Sequence, residues 1–184
     1  IPVIDIGPYL GQEPGAPAVT AAVEKACRHT GFFLVTGHGV SPEATSRLYR
    51  LARDFFDCPE DFKRAHGRGA GVLGGVSFSP LADEALSATL GIKTPGDYKE
   101  SLNFGPRLPG DAWPDRPAGL REGFADYFGE MEKLALWLRR IFCRAIGLPQ
   151  DHFEPSFADH LSALRVINYP EQHTQGGEVR LTRG

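Results

Sequence analysis

The stretch "DHFEPSFADH" offers His152, Glu154 and His160, a His-x-carboxylate pair followed by a second histidine. These are the residue types that hold a non-haem iron while leaving coordination positions open. The spacing argues against that use. His160 follows His152 by only eight residues, Pro155 interrupts the backbone between them, and the stretch comes just after a helix C-terminus, where solvent-facing charge is expected. The histidines here read as surface residues.

Other chemistry-bearing residues are weaker candidates. His38 in "TGHGV" sits between two glycines after an apolar run, which suits a turn residue whose ring hydrogen-bonds locally better than a catalytic imidazole. The glycine-rich "GRGAGVLGG", Gly67 to Gly75, lacks the Gly-Lys-Ser/Thr ending of a phosphate cradle and reads as a loop. Ser41, Ser77 and Ser79 lie in no nucleophile-elbow pattern. Met131 and Trp137 at helical spacing read as core. On residue chemistry alone, no complete active site is present.

Composition narrows the class. A chain of 184 residues fits one domain, 1–184, able to bury most of its unfolded surface. Twenty basic and twenty-three acidic side chains, with no long run of one sign, exclude an obvious nucleic-acid or membrane patch and favour small-molecule partners. Cys27, Cys58 and Cys143 show neither a disulfide framework nor a zinc spacing, so reduced thiols and a cytoplasmic location are expected. No apolar run is long enough for a membrane span and no secretory leader is apparent; beginning at Ile1 instead of Met implies trimming or processing. The 22 glycines and 15 prolines predict many loops between short elements.

These elements must position any site. "PVIDI", Pro2 to Ile6, predicts a short edge strand. Val19, Ala22, Val23, Ala26 and Cys27 predict a helix from Ala18 to Thr30, stopped by Gly31. Phe32 to Val35 form a continuous apolar run bounded by glycine, which predicts a strand buried on both faces. Ser41 and Pro42 then start a helix whose stripe is Leu48, Leu51, Ala52, Phe55 and Phe56. Between Phe62 and Pro117 loops surround one expected strand at "YKESLNFG". The longest helix carries Leu120, Phe124, Phe128, Leu134, Leu138 and Ile141 on one face and ends at Gly147 and Pro149.

"LSALRVINYP" alternates, with Ala163, Arg165, Ile167 and Tyr169 on one face and Leu164, Val166 and Asn168 on the other. Arg165 and Tyr169 therefore point the same way. An arginine on an otherwise apolar face needs an anionic partner or water, because an unpaired buried guanidinium is costly. A register error of one residue would reverse this assignment.

The ordered set "IPVIDI", "ACRHTGFFLVTGHGV", "ARDFFDCPEDFK", "TPGDYKESLNFGP", "GLPQDHF" and "LRVINYP" resembles the N-terminal part of the iron(II)- and 2-oxoglutarate-dependent oxygenases related to isopenicillin N synthase. The resemblance covers essentially the whole chain. It implies an α+β fold: N-terminal helices, including one long helix over 119–147, packed on an incomplete double-stranded β-helix, or jelly roll. It further implies a segment of about 1–117, followed by residues 118–184 that carry the long helix and the first barrel strand.

In that family the iron is held by a His-x-Asp pair and a second histidine, and an Arg-x-Ser binds the far carboxylate of 2-oxoglutarate. None of these stands in the sequence, and the resemblance implies that the ligands lie beyond residue 184, with no metal ligand and no catalytic residue in this chain. His173 does not match the missing ligand. What carries over is Tyr169, similar to a residue lining the cosubstrate site, and Arg165, similar to a basic or polar pocket residue. The implied function is oxidation of a small organic substrate by hydroxylation, desaturation or cyclisation, with Fe(II), 2-oxoglutarate and O2 as cofactors and co-reactants in the complete enzyme and an inactive fragment here. Two alternatives remain: a non-catalytic interaction module that keeps the helical half, and an oxidase of the same family that does not use 2-oxoglutarate.

Overall fold

The computed structural model describes residues 1–12, 14–67, 75–83, 96–105 and 113–171. The chain forms two compact units, Ile1–Thr45 with Asp126–His160, and Ser46–Ala125 with Leu161–Gly184. Residues 68–74 of the expected glycine-rich loop, residues 84–95 and 106–112, and those from 172 onward, His173 included, lie outside the described residues.

In the first unit β1 (Val3–Asp5) pairs in parallel with β2 (Leu34–Thr36), so that Val3 faces Leu34 and Ile4 faces Val35. A parallel pair needs a crossover, and the short helix α1 (Gly7–Leu10) and α2 (Ala16–His29) supply it. Val19, Val23 and Ala26 place one stripe of α2 in the core with Ile4, Ile6, Tyr9 and Ile141. Gly31 ends the helix at φ +70°, a left-handed conformation that glycine adopts without a Cβ clash, and its N–H donates to the Ala26 carbonyl at 3.0 Å.

One strand expectation fails. The apolar run at β2 is not buried on both faces: Val35 packs on the core, but Phe32 is 71% and Leu34 57% exposed. The reason is architectural. A two-stranded sheet with helices on one side covers one face, and the alternate residues of a period-2 strand stay outside.

Helix α3 (Pro42–Phe56) begins as its sequence demands: the Ala44 N–H donates to Ser41 Oγ at 3.1 Å, and Ser41 Oγ donates to Glu43 Oε2 at 2.9 Å. Helix α4 (Glu60–Arg64) follows Pro59. Helix α5 (Leu120–Ala145) confirms the long apolar face, with Leu120 and Phe124 buried in the second unit and Ile141 in the first.

The second unit is built on an antiparallel sheet ordered β3 (Gly75–Ser79), β4 (Glu100–Gly105) and β5 (Leu164–Asn168). β4 lies inside the expected "YKESLNFG"; β3 has no counterpart among the expected strands. Ser77 faces Asn103, Phe78 faces Leu102, Leu102 faces Val166 and Asn103 faces Arg165. One face is the core: Phe78 meets Phe55 edge-on at 5.8 Å, and Phe104 meets Phe124 at 6.2 Å and Trp113 at 5.1 Å. Fully burying side chains of this size contributes about 1.5–3 kcal/mol each.

Candidate functional site

The opposite face of that sheet is polar. The register brings Ser77, Ser79, Ser101, Asn103 and Arg165 to one side, interleaved with the apolar residues that point to the core. Along β5 the burial alternates as expected, with Leu164, Val166 and Asn168 half-buried and Arg165 and Ile167 exposed. Tyr169 continues the pattern at 44% exposure. Arg165 and Tyr169 therefore share a face. That face differs from the expected one, since it is lined by serine and asparagine rather than apolar residues, with Ser79 and Ser101 buried and Arg165 exposed.

Arg165 is held in place there. Its Nε and Nη2 both donate to Ser101 Oγ, at 3.2 and 2.9 Å, and Ser101 itself is almost fully buried. The Asn103 amide donates to the Ser77 carbonyl at 3.4 Å. A guanidinium presents five N–H donors in a planar fork, the geometry that a carboxylate accepts. An exposed aromatic hydroxyl two positions past Ile167 adds a second polar contact with an apolar body.

Behind this face lies a buried polar cluster that no sequence feature announced. Lys63 Nζ lies 2.6 Å from Glu100 Oε2, with both side chains under 10% exposed, at 7% and 6%. The ammonium also donates to the Phe56 carbonyl at 3.1 Å and sits 3.3 Å from Glu60 Oε2. The other carboxylate oxygen of Glu100 accepts a 2.8 Å hydrogen bond from Asn168 Nδ2. Lysine has three donors, and all three have partners. Nothing in "EDFK" marks the lysine as buried, and only its fold partners show it.

The histidines resolve separately. His38 Nδ1 accepts the Val40 N–H at 3.1 Å, the local turn bond its sequence context implies. Glu154 is taken by Arg140, whose Nε and Nη2 both lie 2.7 Å from Oε1. His160 Nε2 lies 3.2 Å from Glu132 Oε1 with the imidazole 23% exposed, so His160 is half-buried against α5, not a surface residue. His152 is exposed and packs edge-on against Phe153. Among the described residues no three His, Cys, Asp or Glu side chains come together as a metal would require, so these residues do not fit an iron site. The polar sheet face, with a cation and hydroxyls, does fit a carboxylate.

A cleft of about 750 Å³ belongs to the first unit, lined by Tyr9, Trp137, Arg140 and Arg144 among others. Arg140 stacks over Trp137 at 5.1 Å. No helix among the described residues is long and apolar enough to cross a membrane.

An antiparallel sheet with one face packed in the core and an arginine on the other makes the second unit part of a mixed α and β fold. Residues 1–122 match the family model described as non-haem dioxygenase in morphine synthesis N-terminal, and the chain belongs to that family. Jasmonate-induced oxygenase 3 of Arabidopsis thaliana is 31% identical over 93% of this chain and 47% of its own length. The crystal structure of JOX2 in complex with 2OG, Fe and JA is 28% identical, with a TM-score of 0.72, covering 94% of this chain and 48% of that one. A full-length Neurospora crassa protein, solved in complex with alpha-KG, superposes with a TM-score of 0.76 at 21% identity, over 92% of this chain and 54% of its own, which is a likeness of fold. The chain spans about half the length of the curated relatives it matches.

Proposed function

We propose that this chain is the N-terminal part of an iron(II)- and 2-oxoglutarate-dependent dioxygenase that oxidises a small organic substrate by hydroxylation, desaturation or cyclisation. Its three-stranded sheet forms part of a jelly roll that further strands complete, and the protein works in the cytoplasm. Family membership supports the class of reaction, and the presence of 2OG and Fe in the JOX2 structure supports the cofactors. The observation that carries the site is Arg165, pinned by the buried Ser101 on the polar face that the exposed Tyr169 shares.

On this reading Arg165 and Tyr169 contribute to the pocket in which 2-oxoglutarate binds. The guanidinium faces an anionic group, and the Tyr169 ring supplies an apolar wall whose hydroxyl remains available for a hydrogen bond. Ser101 fixes the guanidinium plane, so little of its rotamer freedom is left to lose on binding. Iron, when bound, would activate O2, the oxidant that takes two electrons from the substrate and two from 2-oxoglutarate as it becomes succinate and CO2. No described residue is assigned as a ligand of the iron.

The test uses the protein that carries this segment, supplied with ferrous iron, ascorbate and 2-oxoglutarate. Succinate is expected to accumulate, and Arg165→Ala is expected to weaken 2-oxoglutarate binding. A folded protein that neither binds 2-oxoglutarate nor releases succinate refutes the proposal. The 184-residue chain alone is expected to show no tight ferrous site in a titration.

A further inference from the structure

The hydrophobic pattern of β5 specifies its register weakly. Its open face carries Arg165, Ile167 and then Tyr169, and its core-side face carries Leu164, Val166 and Asn168, so each face mixes apolar and polar residues. A slip of one residue would bring Ile167 toward the core and turn Arg165 and Tyr169 away from the open face. β5 is also the outer strand of the sheet, with a neighbour on one side only among the described residues. A single ladder and a mixed pattern leave the strand in need of another device to hold its alignment.

We infer that Lys63, Glu100 and Asn168 are that device: a buried clamp that sets the register of β5 and so decides on which face Arg165 and Tyr169 stand. Asn168 faces Glu100 in the last pair of the ladder, and the side chains of the same two residues are hydrogen-bonded at 2.8 Å. A slipped strand would carry the Asn168 amide to the other face and leave Glu100 Oε1 buried without this donor, a cost the native alignment avoids. Glu100 is in turn immobilised by Lys63, which the Phe56 carbonyl and Glu60 hold at the junction of α3 and α4. A buried polar group that fixes alignment at some expense of stability is an attested use of such groups. Lys63, Glu100 and Asn168 are thus positioning residues, and only the functional consequence rests on the proposed role of Arg165 and Tyr169.

The alignment can be read without any ligand. In the native register Ser101 faces Ile167, so a Ser101→Cys/Ile167→Cys pair closes a disulfide on mild oxidation, whereas Ser101→Cys/Val166→Cys, on opposite faces, does not. Asn168→Leu, which keeps the Lys63 and Glu100 pair, is expected to shift the cross-linking yield from the first pair to the second. Glu100→Leu is expected to do the same. Glu100→Gln, which can still accept from Lys63 and donate to a flipped Asn168 amide, is expected to keep the native pair.

In parallel, with Ser101 and Arg165 intact, Asn168→Leu is expected to weaken 2-oxoglutarate binding by about tenfold or more, as the loss of an outer supporting partner does elsewhere, and Glu100→Gln is not. Native cross-linking in both leucine variants overturns the clamp, whatever happens to binding. Shifted cross-linking in a protein whose parent form binds no 2-oxoglutarate leaves the clamp standing and overturns the pocket reading instead.

Discussion

Removing Lys63 should cost more stability than removing its partner, and removing both should cost less than removing Lys63 alone. Lys63→Met deletes the cation from a carboxylate whose side chain is 6% exposed and which keeps only Asn168 as donor. Breaking a buried pair from one side in this way costs about 3–5 kcal/mol. Glu100→Leu leaves the ammonium with the Phe56 carbonyl and with Glu60, which is 46% exposed and 3.3 Å away, so the charge retains a partner and a route to water. That loss is closer to a hydrogen bond to a charged group, about 1.5–3 kcal/mol. In Lys63→Met/Glu100→Leu no charge is stranded, and what remains is the unmet Phe56 carbonyl and Asn168 amide, about 1–3 kcal/mol in all. Urea unfolding of the four proteins at neutral pH measures the cycle. Trp113 serves as the probe, since its ring packs at 5.1 Å from Phe104 and 5.7 Å from Phe124 in the same unit. A double variant that loses as much as the two single ones together refutes the reasoning, because the three groups would then not act as one cluster.

Four further outcomes follow from the geometry. Ser41→Ala removes the acceptor for the Ala44 N–H and should lower stability by about 1 kcal/mol in thermal or urea unfolding. The Glu43 carboxylate is held below its ordinary 4.5, first by its own backbone N–H and then by the Ser41 hydroxyl. A depressed folded-state value contributes stability that is fully present above the ordinary value and is lost as pH falls through the folded one, so Glu43→Gln should flatten the fall in Tm below about pH 4.5 and leave its slope near neutrality unchanged. Gly37→Ala combines φ +64° with a new Cβ driven into the Asp5 carboxylate that accepts the Gly7 N–H, and should destabilise by about 1–3 kcal/mol by differential scanning calorimetry. In the protein that carries this segment, Arg165→Ala should raise the 2-oxoglutarate Kd by about tenfold or more while Arg165→Lys restores part of the loss; equal affinity in all three forms removes Arg165 from the pocket.

What could be read from sequence tracks how local its cause is. The stripe of α2, the Ser41 cap of α3 and the long face of α5 are set by residues three or four positions apart; the cap and the α5 face stand as expected, and the α2 stripe is narrower, with Val19, Val23 and Ala26 buried and Ala22 and Cys27 exposed. The alternation that gives Arg165 and Tyr169 a common face is likewise local. β3 was not legible, since "GVSFS" after a glycine-rich stretch has little strand pattern of its own and is made a strand by pairing with β4. The exposure of Phe32 and Leu34 was not legible either: four apolar residues in a row do not say how many faces a neighbouring layer will cover. Lys63 is the extreme case, because its partner Glu100 lies 37 residues away and nothing near either residue marks it as buried.

The exposed apolar residues bear on the same question from another side. Ile1, Val3, Phe32 and Leu34 are all more than half exposed, and β1 and β2 place Val3 and Leu34 directly opposite each other. In the other unit Leu161, Ile167 and Tyr169 are exposed along or beside β5, whose outer edge has no partner strand among the described residues. Open edges and adjoining apolar side chains are features that folded proteins usually cover, because both invite uncontrolled association. The open edge of β5 supports the proposal that further strands complete a jelly roll beside it. It also bears on Arg165. A guanidinium on a face that becomes enclosed loses water. The same enclosure would strengthen its attraction for a carboxylate, which is why its affinity for 2-oxoglutarate should depend on the covering strands and be weak in the 184-residue chain alone.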